Sequence, residues 1–299
     1  MTSRSAILFL FALTSSGLFA QPKPLLIDRA TLPQQKSVAV FGEKIVYYDV
    51  GTGPTLVLVH GFASQAYFDW GNVILPLAKA HRVIALDQIG FGGSDKPSVD
   101  YSIQTYVDFL GEFLRTLKVD RFDLAGESLG GWIVANYTMQ ALSADNAGKY
   151  EIPKPSRLIL EDAAGHTPIG SSAPIPIAGT LKDAAGVAFV FYDKSRVTSE
   201  FVRMNFALKL GANDGATQRS LRSNPRLADE VVTGKLAAIT IPTLVVWGGN
   251  DQIVPLADGQ DYAAKIPNAK LVIVPECGHA PSLEKPTEFL NAVTPFLKP

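Results

Sequence analysis

Six short apolar runs, rich in β-branched residues and lacking polar alternation, limit what this chain can fold into more than any other feature. They are Thr55 to His60, Arg82 to Leu86, Arg121 to Ala125, Arg157 to Glu161, Thr243 to Trp247 and Leu271 to Val274. A strand with one wet face alternates; a strand covered on both faces does not need to. Ahead of them, Val38 to Phe41 and Lys44 to Val50 are β-like runs separated by Gly42, a hairpin pattern. Helical spacing of apolar residues falls between the runs, at Tyr101 to Leu117, Leu129 to Gln140, Gly259 to Lys265 and Thr287 to Phe296. Strands that alternate with helices imply an α/β fold. The expectation is a mostly parallel eight-stranded sheet, opened by an antiparallel hairpin and covered by helices on both faces.

The alternation breaks between His166 and about Lys235, where Asp183 to Phe191 and Glu200 to Leu210 read as helices. So long an interruption is not a bare loop. The preferred reading is an inserted helical lid over 166–235, on a core made of 21–165 and 236–299; a separate helical domain or surface decoration is the alternative. Residues 1–20 read as an export signal, with Arg4, an apolar run from Ala6 to Leu13, and Ala20 before Gln21-Pro22. That run is too short for a membrane-spanning helix of about 20 residues, and an uncleaved anchor is the other reading. The expected location is therefore periplasmic or secreted. Cys277 is the single cysteine, so no intramolecular disulfide can form and stability must come from the core. With 27 basic against 28 acidic residues, no field draws the chain to nucleic acid or an anionic membrane. A small neutral or weakly charged molecule is the expected partner, and neither a metal nor an organic cofactor is called for by the spacing of the histidines and the cysteine.

Chemistry concentrates at Gly126-Glu127-Ser128-Leu129-Gly130, which follows a β-like run and opens a helical one. In that setting G-x-S-x-G places a serine on a sharp strand-to-helix turn, with glycines where a Cβ would collide. The positive end of the following helix favours negative charge nearby. A serine hydroxyl needs a base, usually an imidazole oriented by a carboxylate. Of the four histidines, His279 lies in a loop after the last β-like run, able to reach back over the carboxyl edge of the sheet. His60 is better suited to shaping its glycine turn, His81 begins a strand at the wrong edge, and His166 opens the insert, where it touches substrate or serves structure. For the acid, Asp251 follows the Thr243 run, in the chain order Ser, Asp, His. Asp162 and its neighbour Glu161, at the end of another run, are the runners-up. Two backbone N–H groups must receive the oxyanion: Leu129, and for the second Phe62 in His60-Gly61-Phe62-Ala63.

Together with Asp87-Gln-Ile-Gly-Phe-Gly-Gly-Ser-Asp-Lys-Pro97, Gly248-Gly-Asn-Asp251, Gly278-His279, Pro281 and Glu284-Lys-Pro286, these residues resemble the α/β-hydrolase superfamily from about Val38 to Phe296. Within it the chain is similar to the lid-bearing branch of carboxylesterases, lipases, meta-cleavage carbon-carbon hydrolases, epoxide hydrolases and haloalkane dehalogenases. The last two use an aspartate at the elbow, so Ser128 argues against them. The resemblance implies a serine hydrolase with Ser128, His279 and Asp251 in its triad. Together with the export signal it favours carboxylic esters. Carbon-carbon hydrolysis, acyl transfer and a noncatalytic ligand-binding receptor are the alternatives. Glu127 occupies a position that varies in the family and could adjust polarity near the elbow; no role follows from it.

Overall fold

The computed structural model describes residues 24–146, 151–169 and 177–298. The expected export signal at 1–20 and part of the insert lie outside those residues. Eight strands form one sheet: β1 (Lys36–Val40), β2 (Glu43–Val50), β3 (Thr55–Val59), β4 (Arg82–Leu86), β5 (Phe122–Glu127), β6 (Leu158–Glu161), β7 (Thr243–Gly248) and β8 (Ala269–Val274). Their spatial order is β1-β2-β4-β3-β5-β6-β7-β8. The first two strands pair antiparallel, β2 also meets β4 antiparallel, and every later pairing is parallel.

The unbroken apolar runs have a direct structural reading. In β3, Val57 and Val59 belong to the core on one face, while Leu56 and Leu58 belong to the core on the other. In β7, Val245 and Trp247 face one way, Leu244 and Val246 the other. The period-2 geometry of a strand delivers successive side chains to opposite faces, and here both faces are dry. One face is covered by α2 (Ile103–Thr116), α3 (Leu129–Leu142) and α7 (Leu256–Lys265); the other by α1 (Ala66–Leu77), α8 (Pro281–Glu284) and α9 (Pro286–Leu297). Ser102 caps α2 with a reciprocal pair of bonds to Thr105, satisfying amides the first turn would otherwise leave open.

Helix α1 is absent from the sequence-based expectation. Eight of its twelve residues are buried, so it carries no polar stripe to set a helical period, and Gly71 and Pro76 disguise it further. The insert between β6 and β7 holds α4 (Leu181–Ala185), α5 (Ser199–Ala212) and α6 (Gly215–Ser223), joined by short 3-10 turns. The stretch expected as a helix from Asp183 to Phe191 is half α4 and half a 3-10 turn over Gly186–Val190. No described helix is long and apolar enough to cross a membrane.

Candidate active site

Ser128 sits where β5 ends and α3 begins, with φ 51 and ψ −115, a conformation that non-glycine residues rarely adopt. Its backbone is tied on both sides. The Ser128 amide donates to Glu161 O at 2.9 Å, and its carbonyl accepts from Ala164 N at 2.9 Å and Trp132 N at 3.1 Å. The flanking glycines are demanded by closeness: a Cβ on Gly126 would lie 2.3 Å from Gly130 O, and one on Gly130 would lie 2.2 Å from Val59 O.

His279 brings its Nε2 to 2.8 Å from Ser128 Oγ and its Nδ1 to 2.7 Å from Asp251 Oδ2. A carboxylate can only accept, so Nδ1 carries the proton and Nε2 is left as the acceptor for the serine hydroxyl. Asp251 is held in turn: its Oδ1 accepts from Ile253 N at 2.7 Å and Val254 N at 3.0 Å. Asp162 lies close by, with carboxylate, Asp251 and His279 atoms all within 4.8 Å of one another, but its Oδ1 accepts from Gly248 N at 2.8 Å. Burial first, and then the Asp251 charge, push the Asp162 carboxyl well above the ordinary range. Glu161 turns away to accept from Ser282 N, and burial pushes its carboxyl up to about 8.

The loop after β3 is held by four side chains, one of them Gln88, whose Nε2 donates to His60 O at 2.6 Å. Gln88 N donates to His60 Nε2 at 2.9 Å, so the His60 proton is on Nδ1, which donates to Gly61 O at 2.8 Å. Fixing the Gly61 carbonyl also fixes the opposite end of that planar peptide, the Phe62 amide. Asp69 of α1 accepts from Gly61 N at 2.7 Å and Ser64 Oγ at 2.5 Å. Lys209, reaching across from α5, donates to Ala63 O. Phe62 and Ser128 border one pocket, with Leu129 directly after Ser128, and among the described residues no acceptor is bonded to the Phe62 or the Leu129 amide. His60 therefore shapes its turn as expected. His166 stands outside the pocket, bonded through Nε2 to Asp261 at 2.8 Å and packed on Tyr262.

The pocket has a volume of about 380 Å³. Its floor is Ser128 and His279; α4, the turn after it and α5 supply Ala184, Val187, Phe189, Val190 and Lys209 above them. Four groups at the site carry too little sequence signal to be assigned roles. Asp69 and Lys209 stand alone in their segments, and Glu127 sits in the elbow motif at a position to which the sequence assigns no function. Glu284 is visible only inside a motif; its buried carboxylate accepts from Gly278 N at 2.7 Å, Asp193 N at 2.9 Å and Tyr192 N at 3.1 Å, joining the His279 loop to the insert. Cys277 is fully buried, and burial together with neighbouring carboxyls pushes its thiol up, so it stays protonated and offers no rival nucleophile.

A model of the alpha/beta hydrolase family matches residues 56–293. The 2-hydroxymuconate semialdehyde hydrolase of Pseudomonas sp. (strain CF600) is 28% identical over 273 residues, which is 88% of this chain and 93% of that protein. Among solved structures, the meta-cleavage product hydrolase CumD from Pseudomonas fluorescens IP01 superposes with a TM-score of 0.75 at 25% identity, covering 87% of this chain and 96% of that one. A membrane phospholipase A superposes with a TM-score of 0.69 at 27% identity, covering 88% of this chain and 85% of that one.

Proposed function

The chain belongs to the alpha/beta hydrolase family, and within it we propose that this protein is a serine hydrolase that cleaves carboxylic esters through an acyl-enzyme on Ser128. The observation that carries this reading is the continuous relay from Asp251 through His279 to Ser128, with contacts of 2.7 and 2.8 Å, at the floor of a mostly apolar pocket. Ser128 Oγ attacks the ester carbonyl as His279 Nε2 takes its proton, and the resulting imidazolium is stabilised and kept in orientation by Asp251. The Phe62 and Leu129 amides receive the oxyanion, aided by the positive end of α3. His279 then returns the proton to the departing alcohol, and water, activated by the same ring, releases the acid. The insert acts as a lid whose apolar side chains meet the substrate and exclude water.

A second reading, hydrolysis of a carbon-carbon bond in a carboxylate-bearing substrate, has its own support. Lys209 is the one lysine or arginine that borders the pocket among the described residues, and it forms no ion pair within 4 Å with any of them. Burial pushes its ammonium below the usual lysine range. A carboxylate on the substrate would relieve that burial. The 2-hydroxymuconate semialdehyde hydrolase and CumD, both similar to this chain, point the same way, whereas the membrane phospholipase A points to esters.

The test is a fluorophosphonate probe followed by a substrate panel. Labelling of the native protein and none of Ser128→Ala is expected; an unlabelled native protein would overturn the hydrolase reading. Esters graded by acyl length, run beside a meta-cleavage dienoate, decide between the two readings by their ratio of kcat/KM. We further read residues 1–20 as an export signal, checked by N-terminal sequencing of the mature protein from a periplasmic or culture fraction.

A further inference from the structure

Glu127 stands between the base and the oxyanion loop. Its Oε1 lies 3.5 Å from His279 Nε2, the atom that also receives the Ser128 hydroxyl. On its other side the carboxyl is pressed onto Gly61: a Cβ built there would lie 2.1 Å from Glu127 Oε2. The next amide along that backbone is Phe62. Glu127 is 4% exposed and borders the pocket. The titratable groups facing it come from every neighbouring element: Asp69 of α1, Glu161 and Asp162 at the end of β6, and His279 after β8. Of the insert's side chains, Lys209 interacts with Asp214 and Asp69 rather than with Glu127.

Resting on the reading of Ser128 and His279 above, we propose that Glu127 is a positioning residue that works as a neutral carboxylic acid, and that its ionisation shuts the site down. The reason lies in its two contacts. A carboxylate at this point would set a fixed negative charge beside the Gly61-Phe62 backbone, where the reaction itself must build negative charge on the substrate oxygen, and like charges in a water-poor pocket oppose one another. It would also favour a proton on His279 Nε2, and an imidazole already protonated there cannot take the Ser128 proton. The neutral acid does neither, while filling the space against Gly61. The surroundings hold it in that form: burial first, then Asp69 and Glu161, push the carboxyl well above the usual range.

The experiment is kcat/KM for a short aryl ester against pH, from about 6 to about 10, with spontaneous hydrolysis subtracted. It compares native protein with Glu127→Gln and Asp69→Asn. Native activity is expected to fall on the alkaline side as Glu127 ionises. Glu127→Gln has nothing to ionise there, so its activity ratio between high and neutral pH should exceed the native ratio by about fivefold or more, each pH unit past a titration being worth up to about tenfold. In Asp69→Asn the amide oxygen can still accept from Gly61 N while the amide NH2 donates to Ser64 Oγ, but the charge that raises Glu127 is gone, so the alkaline fall should move to lower pH. Native and Glu127→Gln profiles that superpose would overturn the proposal. If Glu127→Gln does not fold, judged by its melting transition, an alkaline fall unmoved by Asp69→Asn overturns it instead. Fluorophosphonate labelling of the same samples keeps the two levels apart: a labelled native protein with superposing profiles sinks the role of Glu127 alone, whereas an unlabelled one sinks the serine hydrolase reading beneath it.

Discussion

The loops that carry Ser128, Asp251 and His279 meet one another backbone against backbone; the insert above them does so along Val190 to Tyr192, where a Cβ on Gly278 would lie 2.2 Å from Val190 O, but lines the pocket itself with side chains. A Cβ on Gly248 would lie 1.7 Å from Gly278 O, and those on Gly126 and Gly130 would come within 2.3 Å of other carbonyls. The insert instead leaves Leu181, Phe189, Tyr192 and Leu210 between 41% and 59% exposed, and it is joined to the His279 loop through the Glu284 carboxylate and the His279 N to Val190 O bond of 2.7 Å. Backbone packing admits few alternatives, so Ser128, Asp251 and His279 are held to one geometry. Side-chain packing admits many, so the same core can serve different substrates as its roof changes.

If that division is right, damage to the core should cost rate, and damage to the insert should alter preference. The largest effect is expected from Ser128→Ala, a fall in kcat of about 10⁴-fold to 10⁶-fold at an unchanged melting temperature. Asp251→Asn comes next, at about 10⁴-fold, because the wrong imidazole tautomer faces the serine. Asp162→Asn should cost far less, since its carboxyl serves Gly248 N; a larger loss at Asp162 than at Asp251 would reverse the assignment of the acid. On the insert, Lys209→Met should shift selectivity away from carboxylate-bearing substrates. Their kcat/KM should fall about tenfold relative to that of neutral esters, as expected for one charge-assisted hydrogen bond. An equal loss on both classes would show that Lys209 acts on the Ala63 loop and not on substrate charge.

The smallest effect concerns stability. Burial pushes Glu161 up to about 8, against 4.5 for the free side chain, so the folded state holds its proton more tightly than the unfolded chain does. Its contribution is complete below about pH 4.5 and is lost as pH rises toward 8. Thermal melts of native and Glu161→Gln protein across that window should show the native melting temperature falling with pH by a few degrees more than the variant's. Parallel slopes would show that Glu161 is ionised in the fold.

Much of the core is legible because its signals are local. The apolar runs at Thr55, Thr243 and the others mark doubly covered strands through composition alone, and Gly126-Glu127-Ser128-Leu129-Gly130 compresses a strand end, a strained turn and a helix start into five residues. Helix α1 escapes because near-complete burial erases the amphipathic period on which helix reading depends. The 3-10 turn over Gly186–Val190 escapes for a related reason: an Ala- and Val-rich segment satisfies either geometry, and contacts with the His279 loop decide.

What the sequence by itself determined is the order of the strands along the chain, the serine at the elbow, and the short set of residues able to serve as base, acid and oxyanion donors. Each rests on periodicity or on close neighbours in the chain. Tertiary structure decided which acid meets His279, since Asp162 and Asp251 both follow strands and differ only in where their carboxyls point. It also decided what surrounds the serine and its neighbours: Asp69, Glu127 and Lys209 reach the pocket wall and Glu284 the His279 loop behind it, from four separate segments, and a charged residue carries no mark of its destination until the sheet and the insert bring it there.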